Sequence, residues 1–435
     1  MSMINAYTGK SGAVSEDDKR LIARREAALG PAYRLFYETP VHFVRGEGVW
    51  LYDPDGNAYL DAYNNVASVG HCRTEVVEAI AKQSAILNTH TRYLNENIIA
   101  YSERLLAKFP SGLSHVMFTC TGSEANDLAL RIAKKFTGGT GFVITEMAYH
   151  GGTDLVAGLS PSLGPAVDLG EHVRTVPAPD STKIPAGQLA AHFANAIRAA
   201  IADMRRHGIK PAALIVDTIF SSDGVFSDPA GFLKEAIAVA REAGLLFIAD
   251  EVQPGFGRTG DAMWGFERHG VMPDIVTLGK PMGNGYPIAG LVMKPEIVEN
   301  FGRTSRYFNT FGGNPVACAA GMAVLDVIER NRLQQNAKDV GNYLREKIRS
   351  LASPVIADVR GAGFFIGVEI VSTNPSVSDA GLTAGIVNGL RERRVLISAS
   401  GPRANVLKIR PPLIFSRDNA DQLVRELRAT IGALQ

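Results

Sequence analysis

Short runs that are apolar throughout recur between Ile80 and Val324: HVMFTC, GFVITE, AALIVD, LLFIADE, DIVTLG and IAGLVM. Several are separated by stretches with helical spacing, such as DPAGFLKEAIAVAREAG. Strands buried on both faces read this way, and their alternation with helices predicts a mostly parallel sheet covered on both sides. Upstream, GVWLYDPDGNAYLDAY alternates apolar and polar positions around Asp55-Gly56, the pattern of a hairpin. The first 30 residues read as a polar arm with one charged helix. Beyond Gly321, helical periodicity runs through AVLDVIERNRLQQNAKDVGNYLREKIRSL. A strand pair (VIADVRGAGFFIGVEIV), a helix, a VLISAS…NVLKIRPPL segment and a closing helix follow. The expected architecture is α/β: a large domain at 66–324 and a smaller α+β domain from both chain ends. Residues 1–65 give the arm and the first part of the smaller domain, and 325–435 the rest.

Composition narrows the function. In 435 residues, 45 basic side chains face 44 acidic ones, a balance that argues against an electrostatic nucleic-acid binder. Three cysteines, Cys72, Cys120 and Cys318, make no CxxC, which fits a reducing compartment and gives no zinc signature. The N-terminus lacks an apolar signal core and no apolar stretch is long enough to span a bilayer. A cytoplasmic protein is expected.

Ligands of open parallel sheets gather at the carboxyl ends of the strands, and three segments place reactive groups there. In HVMFTCTGSEANDLALRIAKKF, the apolar stripe puts a helix start near Ser123, so Thr121, Gly122 and Ser123 bring N–H groups and hydroxyls to a helix N-terminus. Read alone, Ser123 is a simple N-cap. This segment holds no Gly-Lys-Ser/Thr of a nucleotide P-loop. LLFIADEV ends in Asp250, a carboxylate able to accept from a protonated ring nitrogen or to cap a helix. DIVTLGK ends in Lys280, where backbone closing around an amine removes solvent and lowers its pKa, as a Schiff-base lysine requires. A phosphate cradle, a carboxylate for a ring nitrogen and a lysine for an aldehyde together match the parts of pyridoxal phosphate. GAGFFIG imitates a dinucleotide fingerprint, but a strand follows it, and it reads as a turn. In YNNVASVGHC, Asn64, Asn65 and His71 are either ligands or a polar loop with a satisfied histidine.

With TGSEAND, AYHG, IADEVQPGFGRTG, DIVTLGKPMGNGYP and FNTFGGNP in order, the sequence resembles the class III (ω-type) aminotransferases of the fold-type I pyridoxal-phosphate enzymes, from about Gly48 onward. NNVASVGHC, NTHTRYLNENI and ASGPRANVLKIRPPL make it similar to the ethanolamine-phosphate and phosphohydroxylysine phospho-lyases within them. The resemblance implies that Lys280 binds the cofactor aldehyde and that Asp250 pairs with the pyridine nitrogen. Gln253 would lie near the ring hydroxyl, Val252 and Tyr149 against the two ring faces, and Gly122 and Ser123 at the phosphate. Thr310 would reach the phosphate of a neighbouring subunit in a homodimer. Three places depart from the family pattern: Arg73-Thr74, Cys120-Thr121 and Asp217, which stands where a glutamate is usual.

The cofactor permits both transamination and elimination. Relatives acting on α-amino acids tend to carry arginine where this chain has Lys408; a lysine forks a carboxylate poorly but serves as a point charge for phosphate. Arg403, Arg92 and Ser68 are further candidates for substrate contacts, Asp217 is a possible partner of Lys408, and Arg410 is assigned to packing. The expected activity is elimination of phosphate and ammonia from O-phosphoethanolamine. The alternatives are an ω-aminotransferase working on a primary amine and a keto acid, and a cofactor-binding regulator, for which no DNA-binding module is visible.

Overall fold

The hairpin predicted at Asp55-Gly56 forms. In the computed structural model, which describes residues 5–9 and 14–434, β1 (Arg45–Glu47), β2 (Trp50–Tyr52) and β3 (Ala58–Asp61) make an antiparallel meander. The Asp53 carboxylate closes its turn, accepting from the backbone N–H of Asp55 (3.1 Å) and Asn57 (2.8 Å), and Gly56 takes the left-handed conformation (φ 81°) that the turn needs.

The central sheet contains β4 (His115–Thr119), β5 (Gly141–Thr145), β6 (Val173–Val176), β7 (Pro211–Asp217), β8 (Leu246–Asp250), β9 (Ile275–Leu278) and β10 (Ala289–Met293). Their order is β4-β10-β9-β8-β7-β5-β6. The pairings from β6 through β9 are parallel, and β10 runs antiparallel to both β9 and β4. All residues of β5, β8, β9 and β10 are buried, as apolar-throughout runs require. The edge strand β6, VRTV, is absent from the expected set because only Val173 and Val176 are buried; Arg174 and Thr175 are not.

The last third of the chain forms β11 (Ile356–Ala362), β12 (Phe365–Ile370), β13 (Val395–Leu396), β14 (Ser398–Ser400) and β15 (Val406–Ile409). Four of these make an antiparallel sheet in the order β11-β12-β15-β14, while β13 pairs in parallel with β3. The C-terminal segment thus meets the N-terminal hairpin through β13, and β11–β12 build a sheet elsewhere. GAGFFIG is the β11–β12 turn. A Cβ on Gly363 (φ 51°) would come within 2.4 Å of the Arg258 carbonyl oxygen, which accounts for the glycine.

This topology sets the site. Parallel β7, β8 and β9 bring Asp217, Asp250 and Thr277 into one register row at their carboxyl ends, with Lys280 just beyond. Strand β4 runs the same way as β9, so its exit into the helix Gly122–Thr137 opens on the same edge. Among the described residues no helix is long and apolar enough to cross a membrane, and all three cysteines are free.

Candidate active site

A cavity of about 90 Å³ at this edge gathers eight of the predicted residues: Gly122, Ser123, Tyr149, Asp217, Asp250, Val252, Gln253 and Lys280. His150 and Gly151 complete its lining.

One end of the cavity is a helix N-terminus. Here the expectation for Ser123 needs correcting: the N-cap is Thr121, whose hydroxyl accepts from Glu124 N (3.1 Å), while the Glu124 carboxylate takes the N–H groups of Cys120 and Thr121. This capping box leaves the Gly122 and Ser123 N–H groups without a partner among the described residues. Ser123 Oγ accepts from Gly152 N (3.1 Å). A Cβ on Gly122 would meet Val252 Cγ2 at 3.0 Å, so the glycine lets the helix start close over Val252.

The floor is built around Asp250, which is 4% exposed. Its Oδ1 accepts from Val252 N (3.0 Å). Its Oδ2 receives Asn126 Nδ2 (3.0 Å) and lies 2.7 Å from His150 Nδ1. Asn126 is itself held, accepting from Thr277 Oγ1 (2.6 Å) and donating to the His150 carbonyl oxygen (2.7 Å). Tyr149 remains 39% exposed above this floor.

Lys280 follows β9 and starts a short 3₁₀ turn, Lys280–Gly283. Burial pulls its amine down to about pKa 8, with the Arg410 cation adding to the effect and the Asp250 and Asp217 carboxylates opposing it. The turn is pinned from the loop after β3. Ser68 Oγ donates to the Pro281 carbonyl (3.0 Å), and Asn284, at φ 50°, accepts from Val69 N (2.9 Å) and donates to the Gly70 carbonyl (2.8 Å).

Beyond Lys280 lie two buried basic side chains: Arg410, which lines an adjoining cavity, and Lys408, which lines neither cavity. Arg410 is buried, donates to Gln253 Oε1 and lies over the Tyr63 ring, 4.3 Å from its centroid; its predicted role in packing alone is too small. Gln253 passes the contact on, donating to Ser221 Oγ (2.6 Å). Lys408 is 7% exposed, and its Nζ has no hydrogen bond or ion pair among the described residues. Burial, with Arg410, draws Lys408 well below its usual pKa. Burial likewise raises Asp217, whose carboxylate accepts from the N–H groups of Ile219 and Ser221 (both 3.1 Å). The expected Asp217–Lys408 pair does not form at salt-bridge distance, although the Asp217 charge opposes the lowering of the Lys408 pKa. A second cavity of about 380 Å³ adjoins at Lys280 and Arg410, lined by Tyr63, Asn64 and Asn65 and by apolar Leu35, Phe36 and Val41.

A model of class III aminotransferases matches residues 36–431. The chain belongs to the class III aminotransferase family. It is 40% identical over 431 residues to an alanine–glyoxylate aminotransferase 2-like protein of Drosophila melanogaster, covering 95% of this chain and 87% of that one. It is 34% identical over 432 residues to ethanolamine-phosphate phospho-lyase homolog 1 of Caenorhabditis elegans (94% and 92% covered). Among solved structures it superposes on a phospholyase from Arthrobacter in complex with phosphoethanolamine, with TM-score 0.92 and 43% identity over 95% of this chain and all of that one. Class III aminotransferases and phospholyases depend on pyridoxal phosphate, and so does this enzyme.

The residues fit that group. Two unpartnered N–H groups at a helix N-terminus suit a phosphate, a triply held carboxylate suits a ring nitrogen, and an amine of lowered pKa suits an aldehyde. The floor supports, Asn126 and His150, were missed in the sequence, as was the cavity role of Arg410. Five predicted residues lie outside the first cavity, Lys408 among them. Ser68 is fully buried and spent on Pro281, so it supports the lysine turn and offers the substrate no hydroxyl. Arg403 donates to Glu369 (2.6 Å) and is largely exposed, not lining the cavity. Arg92 lies 3.7 Å over the Phe308 ring centroid, and Thr310 sits on the neighbouring exposed loop. His71 is satisfied, 2.7 Å from Asp61 Oδ2.

Proposed function

We propose that this enzyme is a phospho-lyase acting on O-phosphoethanolamine or a related β-phosphorylated amine, with Lys280 and Asp250 as its catalytic residues. The observation that carries the reading is Lys408, a buried amine with no hydrogen-bonding partner among the described residues, beside the cation of Arg410. Such a pair is costly while no anion reaches it at salt-bridge distance, and an arriving phosphate would offset the burial that disfavours the charged lysine. Similarity to the Arthrobacter phospholyase, solved with phosphoethanolamine, supports the same reading.

Bound pyridoxal phosphate supplies an electron sink for the pair released when a Cα–H bond breaks. Asp250, steadied by Asn126 and His150, keeps a proton on the ring nitrogen. Lys280 would take the Cα proton, a task its lowered pKa suits. Lys408 and Arg410 grip the substrate phosphate, which leaves Cβ with its bonding electrons. Water then completes the balance, giving acetaldehyde, ammonia and inorganic phosphate.

The protein would act as a homodimer. Tyr93 (65%), Leu94 (100%) and Phe311 (69%) are exposed around the Thr310 loop, an apolar surface suited to a second copy. From that loop Thr310 would serve the partner's cofactor phosphate.

The second reading is an ω-aminotransferase, favoured by the aminotransferase name of the Drosophila relative. Phosphate and acetaldehyde release from O-phosphoethanolamine without a keto acid separates the two. Sustained equimolar release supports the lyase. Bleaching of the yellow form by amines, with recovery on adding pyruvate and no phosphate release, supports the aminotransferase.

A further inference from the structure

The turn after β7, FSSDGVF (220–226), takes positive φ at Phe220 (51°), Gly224 (132°) and Val225 (65°). Two bulky residues in that region are strained, so surrounding contacts must hold the turn. They do so on three sides. From the C-terminal sheet, Ser400 Oγ donates to the Ser221 carbonyl (2.8 Å), Gly401 N to the Ser222 carbonyl (3.2 Å), and Arg360 Nε to the carbonyls of Gly224 and Val225 (3.0 Å each). Arg360 is anchored by Glu369 (2.8 Å), whose other oxygen holds Arg403, so Arg403 is the outer member of this buttress. From the cavity floor, Gln253 donates to Ser221 Oγ.

The third side is Asp223, 5% exposed. Its Oδ2 accepts from Thr145 Oγ1 (2.8 Å) at the end of β5, and its Oδ1 from Met147 N (3.1 Å). Met147 lies two residues before Tyr149 and three before His150. The far side of the same segment is fixed by Ser160 and Ser162, through His150 N (3.0 Å) and the Ala148 carbonyl (3.0 Å). Asp223 therefore closes the inner side of a clamp around the segment that carries one wall of the cavity and one support of Asp250.

We propose that Asp223 is a positioning residue that sets Tyr149 and His150 against the cofactor and ties them to the sheet that bears Lys408 and leads into Arg410. Its work is done by its two acceptor oxygens. No cation pairs with it at salt-bridge distance among the described residues, and burial, with the nearby Asp217 charge, raises its pKa to about 7. An asparagine can make the same contacts, its oxygen accepting from Met147 N and its amide donating to Thr145, whose hydroxyl turns round. Asp223 also lies near enough to influence Lys408, and a role exerted through charge is what the asparagine would abolish. The inference rests on where the cofactor binds and does not depend on the phospho-lyase reading.

The test compares Asp223→Asn, Asp223→Ala and Thr145→Val. The readouts are the affinity of each apoprotein for pyridoxal phosphate and the visible circular dichroism of each holoenzyme per bound cofactor. Asp223→Ala removes both acceptors and is expected to weaken cofactor binding about tenfold and to halve the dichroism. Asp223→Asn should restore both readouts to within about threefold of the parent, with Thr145→Val between the two. Wild-type affinity and dichroism in Asp223→Ala overturn the proposal. So does an Asp223→Asn protein as impaired as the alanine variant, which would assign the role to charge. If the alanine variant does not fold, Thr145→Val with wild-type readouts overturns it equally.

Discussion

His150 Nδ1 and Asp250 Oδ2 meet at 2.7 Å, with both side chains buried. The imidazole and Asn126 share one carboxylate oxygen, so the orientation of Asp250 depends on two elements, the β5 exit and the helix Gly122–Thr137. Removing one buried hydrogen bond to a charged group costs about 1.5–3 kcal/mol. His150→Phe is therefore expected to lower kcat about 10–100-fold, and Asn126→Ala by a similar factor. Asp250→Asn should lose more than either, because it removes the charge itself. Steady-state rates with any accepted amine, set beside the visible absorbance of the bound cofactor, check the ranking.

Lys280 gives a pH prediction for the apoprotein. Its folded pKa of about 8 lies below the ordinary lysine value of 10.5. Below pH 8 the amine is charged in both states, and the cost of burying that charge is fully present. Between pH 8 and 10.5 the folded protein gives up the proton first, so this cost fades as pH rises. The apoprotein of Lys280→Met should accordingly melt above the wild-type apoprotein at pH 7, with the gap closing toward pH 10. Thermal melts of both cofactor-free proteins across that range are the measurement. The same variant should bind cofactor without the covalent link and show no turnover.

These two residues were legible because each is polar at the end of an apolar run, and adjacent parallel strands bring such ends together. Asn126 also left a signal: it lies among Ala125, Leu128, Ala129 and Ile132 on the buried face of its helix, and a polar residue there requires a partner. His150 left none, since its position depends on the path of a loop. Arg410 was misjudged because its surroundings in the sequence are apolar; only the fold shows that Gln253 and Tyr63 receive its guanidinium. Strand β6 was invisible for an energetic reason, because an edge strand with two buried side chains needs little hydrophobic patterning. Assigning Arg403 and Ser68 to the substrate failed because spacing cannot reveal that Glu369 and Pro281 already engage them.

The turn bearing Lys280 should be sensitive to Asn284. That residue holds a left-handed conformation and two hydrogen bonds to the 69–70 segment. Asn284→Ala loses both bonds and places a Cβ-bearing residue where the local amide contacts no longer favour it, a cost of about 2–3 kcal/mol. Asn284→Gly loses the bonds but relieves the backbone. The expected order of melting temperature is wild type, then glycine, then alanine, read by calorimetry of the holoenzymes.

Lys408 is where the phospho-lyase reading is tested. If it grips a phosphate, Lys408→Met should raise KM for O-phosphoethanolamine about 10–100-fold while leaving the reaction of the bound cofactor with an unphosphorylated amine nearly unchanged. Lys408→Arg should keep part of the affinity, because the charge remains although the head group is larger. The contrast between the two amines is the informative quantity, since a general packing defect would slow both. Equal losses on both would mean that the lysine supports the cavity and that the phosphate is held elsewhere.

The exposed surface around Thr310 yields the last prediction. Leu94 and Phe311 are 100% and 69% exposed, next to Tyr93 and Phe308, and burying such side chains against a second copy contributes about 1.5–3 kcal/mol each. In a homodimer built on that surface, a charge at its centre would leave an unpaired ion in the interface. Phe311→Glu should therefore shift the protein toward monomer in sedimentation velocity. If Thr310 serves the partner's cofactor, the monomeric fraction should also release pyridoxal phosphate more readily, because the helix N-terminus at Gly122 and Ser123 would then hold the phosphate without it. Loss of cofactor that follows dissociation on dilution of the wild type would tie the two effects to the interface itself. A Phe311→Glu protein that remains dimeric would place the interface on another face.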